Sequence, residues 1–139
     1  ILQVKHGKHT SSTSTSSSSM VDLSTNTNVS ITPSATSSKI LVLGHFNEVY
    51  HSGSESGRSH FIAITRDTTE IHRAHTTYST AHSGEEMINQ NLNIVDEPST
   101  TSAITYKLQF RSLYSGQTVI INQNQAPGGS TITLMEIAG

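Results

Sequence analysis

With no cysteine in the chain, its eight histidines are the residues most able to do chemistry. Two pairs stand at an H-x-x-H spacing, His6 with His9 and His72 with His75. On a helix, residues three apart share a face and could meet on one metal ion; on a strand they point to opposite sides. Neither pair lies in a segment of helical periodicity, so the spacing is a weak metal signal. A threefold axis would change this, because one histidine per chain then supplies three ligands. The reading is of histidines that face solvent or accept hydrogen bonds, with no metal and no cofactor.

Catalytic patterns are equally thin. A Ser/His/Asp triad can be nominated in any chain this rich in Ser and His, so its occurrence carries little weight. Neither a G-x-S-x-G elbow nor an H-E-x-x-H motif is present. The adjacent acids Glu85-Glu86 and Asp96-Glu97 fall in turn-like stretches without the apolar surroundings that raise an acid's pKa. The chain reads as non-catalytic. Binding chemistry is better represented, by Tyr50, Arg58, Tyr78 and Tyr114 among Asn, Ser and His residues. An aromatic face can pack on a sugar ring while neighbouring amides and hydroxyls meet its hydroxyl groups.

These residues must be held by an unusual composition. The 139 residues include 42 Ser and Thr, 32% hydrophobic residues and 13% charged residues, with a net charge of −2. Disordered chains usually combine low hydrophobicity with high net charge; here the charge is small, and Thr is a good strand residue. Ordered β-structure is therefore expected. Its core would be lean, since a buried aliphatic side chain returns only about 1.5–3 kcal/mol against about 1–2 kcal/mol of backbone entropy per residue. Burying one face against copies of itself is the simplest remedy, so self-association is expected. The balance of eight basic and ten acidic residues gives no nucleic-acid patch. No apolar stretch approaches the roughly 20 residues of a membrane-spanning helix, and membrane insertion is not expected. Because the chain opens on Ile1, more protein is expected to precede it.

Periodicity places the elements. Residues 1–5 are strand-like, and the Ser/Thr tract 10–19 reads as a linker or an exposed edge strand, here as an extended path continuing to residue 23. Residues 28–32 form a strand that Pro33 ends. Residues 39–50 are the strongest strand, with Leu41, Leu43, His45, Asn47 and Val49 on one face and Ile40, Val42, Phe46 and Tyr50 on the other. A turn at 52–57 should return the chain antiparallel along 58–66, and a tight turn at 67–69 leads to a short strand at 70–72. Residues 73–86 lack periodicity and read as a long loop. Strands follow at 87–95, 104–110, 118–122 and 130–138. About nine short strands without a helix describe an all-β antiparallel β-sandwich of jelly-roll type. The division is an N-terminal strand and Ser/Thr-rich segment at 1–23 and a sandwich at 24–139, with Leu41/Leu43 and Ile132/Leu134 expected in the core.

Several segments resemble a family of bacteriophage virion proteins found widely in marine phages. They are Ile31-Thr32-Pro33-Ser34-Ala35-Thr36-Ser37-Ser38-Lys39-Ile40-Leu41-Val42, Ser99-Thr100-Thr101-Ser102-Ala103-Ile104-Thr105-Tyr106-Lys107 and Ser130-Thr131-Ile132-Thr133-Leu134-Met135-Glu136-Ile137-Ala138. The opening Ile1-Leu2-Gln3-Val4, the Ser/Thr tract and Ile64-Thr65-Arg66-Asp67 are similar as well, in the same order along nearly the whole chain. The resemblance implies the C-terminal domain of a virion fibre, a trimeric sandwich knob on an extracellular particle, with Gly139 as the natural terminus. Its partners would be two further copies of itself, other virion proteins and a host surface glycan or protein. The H-x-H motif by which some phage fibre tips hold axial metal ions is absent. Two roles follow from the resemblance: a tail-fibre or receptor-binding tip, or a head fibre or capsid-decoration knob that binds no receptor.

Overall fold

A computed structural model describes residues 1–52, 58–77 and 87–139. Within them the alternation of apolar and polar residues becomes eleven strands and one short 3-10 turn at Thr25–Thr27. The strands are β1 (Gln3–His9), β2 (Thr13–Thr15), β3 (Val21–Asp22), β4 (Asn28–Ile31), β5 (Lys39–Ser52), β6 (Ser59–Arg66), β7 (Thr69–Thr77), β8 (Met87–Asp96), β9 (Ile104–Ser112), β10 (Thr118–Ile121) and β11 (Ser130–Ile137). They form two antiparallel sheets packed as a β-sandwich. In sheet A, β8 lies along one edge of β5, while β11 and then β10 share its other edge, with β1 outside β11 and β2 outside β10. In sheet B the order is β7-β6-β9, and both β4 and β3 lie along the outer edge of β9. Residues 1–23 thus supply strands to both sheets.

The core lies between the sheets. Ile40, Val42, Phe46, Val49, Ile121, Ile132 and Leu134 come from sheet A, and Ile31, Ile62, Ile64, Tyr106, Leu108 and Phe110 from sheet B. Gly7 is required where β1 crosses this layer, because a Cβ there would sit 2.4 Å from the Asn26 carbonyl oxygen. Two polar clusters close the layer. At one end Arg66 makes a forked ion pair with Asp96 (3.0 and 2.8 Å), which also accepts the Tyr106 hydroxyl proton at 2.6 Å. Burial and the Asp96 carboxylate push the Tyr106 pKa upward. At the handover from β11 to β10, Ser130 Oγ accepts the Asn47 amide and donates to Asn122 Oδ1, and Asn122 Nδ2 donates to the His9 and Ser11 carbonyls.

That handover corrects the expected faces of β5. The Asn47 carbonyl accepts the Asn122 amide, Glu48 takes a positive φ of 48°, and the register with β8 shifts between Phe46 and Val49. One residue is thereby inserted, and everything after it changes face. Val49 joins Ile40, Val42 and Phe46 inside, and Tyr50 turns outward. Leu41 and Leu43, expected in the core, lie on the outward face; Ile132 and Leu134 are buried as expected. Two other expectations change. Residues 39–50 and 58–66 belong to opposite sheets and do not pair. The stretch 73–77, read as loop, completes β7 as an edge strand, where polar alternation is tolerated. The rest of that loop and most of the expected turn at 52–57 lie outside the described residues.

Candidate functional site

The ends of β5, β7 and β9 and the starts of β6, β8 and β10 meet at one end of the sandwich, as their registers require. Three of the four expected binding residues share this end. Tyr50 faces outward from sheet A, paired in register with Met87 and Ile120. Arg58 immediately precedes β6, and Tyr114 is exposed in the 113–117 turn, whose Leu113 amide donates to the Ser59 carbonyl at 2.9 Å. Tyr78 lies outside the described residues.

The four metal candidates do not converge. His6 Nδ1 pairs with Thr133 Oγ1 at 2.9 Å and His9 Nε2 with Thr13 Oγ1 at 2.8 Å. Both sit on β1 three residues apart and so point to opposite sides. The same separation divides His72, opposite Ile64, from His75, opposite Phe61. Among the described residues no group of three potential metal ligands is found.

What the same end does gather was not anticipated. On the outward face of sheet B, His75, Phe61 and Arg111 stand in one row across β7, β6 and β9. The His75 ring stacks on Phe61 with centroids 4.4 Å apart and planes 12° from parallel. The Arg111 guanidinium lies 4.0 Å from the Phe61 centroid and that of Arg73 5.1 Å. Arg111 donates to the Ser18 and Ser112 carbonyls, and Arg73 meets Glu70 at 3.4 Å. Such cation–π contacts are worth roughly 0.5–1 kcal/mol at exposed sites. They bring two guanidinium groups to one ring, that of Arg73 being also paired with Glu70.

Inside, directly beneath, runs a polar chain between the sheets. His51 Nε2 meets His60 Nδ1 at 2.9 Å, His60 Nε2 meets Gln90 Oε1, and Gln90 Nε2 donates to Thr76 Oγ1 at 2.6 Å. One assignment satisfies every link: the amide oxygen of Gln90 must accept from His60 Nε2–H, so His60 Nδ1 accepts from His51 Nε2–H. Both rings are then neutral. Burial, with His60 and Arg58 adding to it, lowers the His51 pKa to about 4; burial also lowers that of His60, against the hydrogen bond to Gln90 and with the help of His75. His60 shares the parity of Ile62 and Ile64 in β6, which is the signal in the sequence that it points inward. His51 offered none, because its parity depends on the bulge.

No protein-family model matches the chain, and no curated protein matches it in sequence. Solved structures share its fold. Dimeric latent PorU from Porphyromonas gingivalis aligns over 98% of this chain at 7% identity and a TM-score of 0.55, and the match takes up only 13% of the PorU chain. Eiger TNF from S. frugiperda aligns over 97% of this chain and 92% of its own, at 10% identity and a TM-score of 0.53. The VP2 subviral particle of infectious bursal disease virus covers 98% of this chain and 38% of its own, at 17% identity and a TM-score of 0.41. At 7% and 10% identity the likeness to PorU and Eiger TNF describes the two-sheet architecture alone.

Proposed function

We propose that the chain is a non-catalytic knob of a bacteriophage virion, acting as a homotrimer that meets an acidic glycan on a host surface. The resemblance of its segments to phage virion fibres supports the virion setting. The strand orders β1-β11-β5-β8 and β4-β9-β6-β7 support a jelly roll. One observation carries the binding role: Arg73, Arg111 and His75 gather on Phe61 at the end of the sandwich that also bears Arg58, Tyr50 and Tyr114. A carboxylate or sulfate would meet the guanidinium groups, while a nearby amide such as that of Gln109 suits a sugar hydroxyl. Three copies raise the apparent affinity by about 10²–10⁴ without a strong single contact.

Competition tests this. Purified protein in excess should slow adsorption of its phage to host cells, and Arg73→Ala with Arg111→Ala should abolish the competition while the fold is retained. Unchanged adsorption, with no staining of host cells by labelled protein, would leave the head-fibre or decoration-knob role instead.

A further inference from the structure

The geometry points to the outward face of sheet A as the surface through which copies of this chain pack on one another. The inference rests on the multi-copy reading above and names its contact. Register places Val4, Met135, Leu41 and Val95 in a single row across β1, β11, β5 and β8, all on the side away from the core. Leu2, two residues before Val4, is 56% exposed, and its amide donates to the Glu136 carbonyl at 2.8 Å. Val4 and Val95 are 54% and 50% exposed, and Met87, farther along the same face, is 43% exposed. A chain with so few large apolar residues thus places several of them in water on one face.

Charge distinguishes this face from its counterpart. On one side of the apolar row come His6, Thr133, Leu43, Asn93 and then Lys8, Thr131, His45, Asn91, and on its other side Ile137 and Lys39. Its charged groups stand at the margins: Lys8 on the outermost strand, and the Lys39–Glu97 ion pair at one end (2.7 Å). Glu48 at the bulge is engaged by the Asn124 amide at 2.8 Å. The histidines of the face are tied to neutral partners, His6 to Thr133 and His45 to Asn91. The outward face of sheet B, in contrast, carries Arg73, Arg111, Lys107 and Asp22. A surface whose apolar band borders neutral side chains on one side and the paired Lys39–Glu97 on the other can meet its own copies around a rotation axis without like charges being opposed.

Size agrees. Four strands about 4.8 Å apart, along the 14 residues of β5 at about 3.3 Å each, make a panel on the order of 900 Å². One partner contributes about 800 Å² to a stable interface of standard size.

The wild-type chain should scatter light as a multiple of 15.0 kDa, three copies on the reading above. Val95→Lys and Met135→Lys should each yield a folded single chain at the same concentration, while Gln109→Lys, on the outward face of sheet B, stays assembled. If wild type is assembled and the two sheet A variants assemble equally well, this face is the wrong one and the multi-copy reading stands. A monomeric wild type overturns both. Should the lysine variants fail to fold, a single cysteine decides in this cysteine-free chain. The thiol of Asn93→Cys should react with a maleimide at least tenfold more slowly than that of Gln109→Cys, and equal rates overturn the inference.

Discussion

Acid is expected to weaken this fold in two separable stages, the first belonging to the histidine chain between the sheets. His51 is 2% exposed and His60 0% exposed, and their rings stand 5.1 Å apart with a single shared proton. Protonating His60 Nδ1 would turn an N–H against the N–H of His51 and place charge where burial disfavours it. The His51 pKa is about 4 in the folded chain and 6.5 when unfolded. Between those values the unfolded chain binds more protons, so stability falls as pH falls through the window and is complete above pH 6.5. A shift of that size corresponds to about 3 kcal/mol, or about 2 kcal/mol after a discount for solvent screening. His60, shifted in the same direction, adds to the loss. Urea unfolding at fixed protein concentration, from pH 7.5 to pH 4.5, measures it. His51→Gln should be less stable at pH 7.5 yet lose markedly less on acidification. The same loss in wild type and variant would refute the reasoning. The second stage lies lower. Hydrogen bonds from Ser34 and Gln3 hold the Glu136 pKa at about 2, so its contribution is present above its unfolded value of 4.5 and is lost as pH falls through 2.

Two further outcomes follow from close packing. Gly7→Ala should destabilise by about 1–3 kcal/mol in thermal or urea unfolding, because the new methyl meets the Asn26 carbonyl oxygen and the Val29 side chain, at 2.4 and 2.6 Å. Asn122→Ala should cost about 2–3 kcal/mol by the same measurement, since it strips partners from Ser130 Oγ and the His9 and Ser11 carbonyls and leaves an alanine at a φ of 58°.

Local alternation was enough to place β8, β9 and β11, because a strand's period of two is a property of consecutive residues. The lean composition and the absence of catalytic motifs were likewise legible from the residues alone. The histidine pairs at three-residue spacing could be set aside as chelates on the same ground, and β1 and β7 do separate them.

What tertiary structure decided begins at Asn47. Whether β5 continues in phase there depends on Ser130 and Asn122, 83 and 75 residues away, which fix the handover between two neighbouring strands. Those contacts turn Val49 and His51 inward and Tyr50 outward. Pairing set the rest. β5 and β6, nine residues apart at His51 and His60, belong to opposite sheets, so two histidines close in sequence meet inside the sandwich. Sheet membership likewise sent Leu41 to the surface, although its side chain suits a core. Strand order also gathered Phe61, His75 and Arg111, from three strands spanning 51 residues, into one row. Alternation specifies two faces for each strand but not which face is inner, and only the second sheet, by covering one of them, makes that choice.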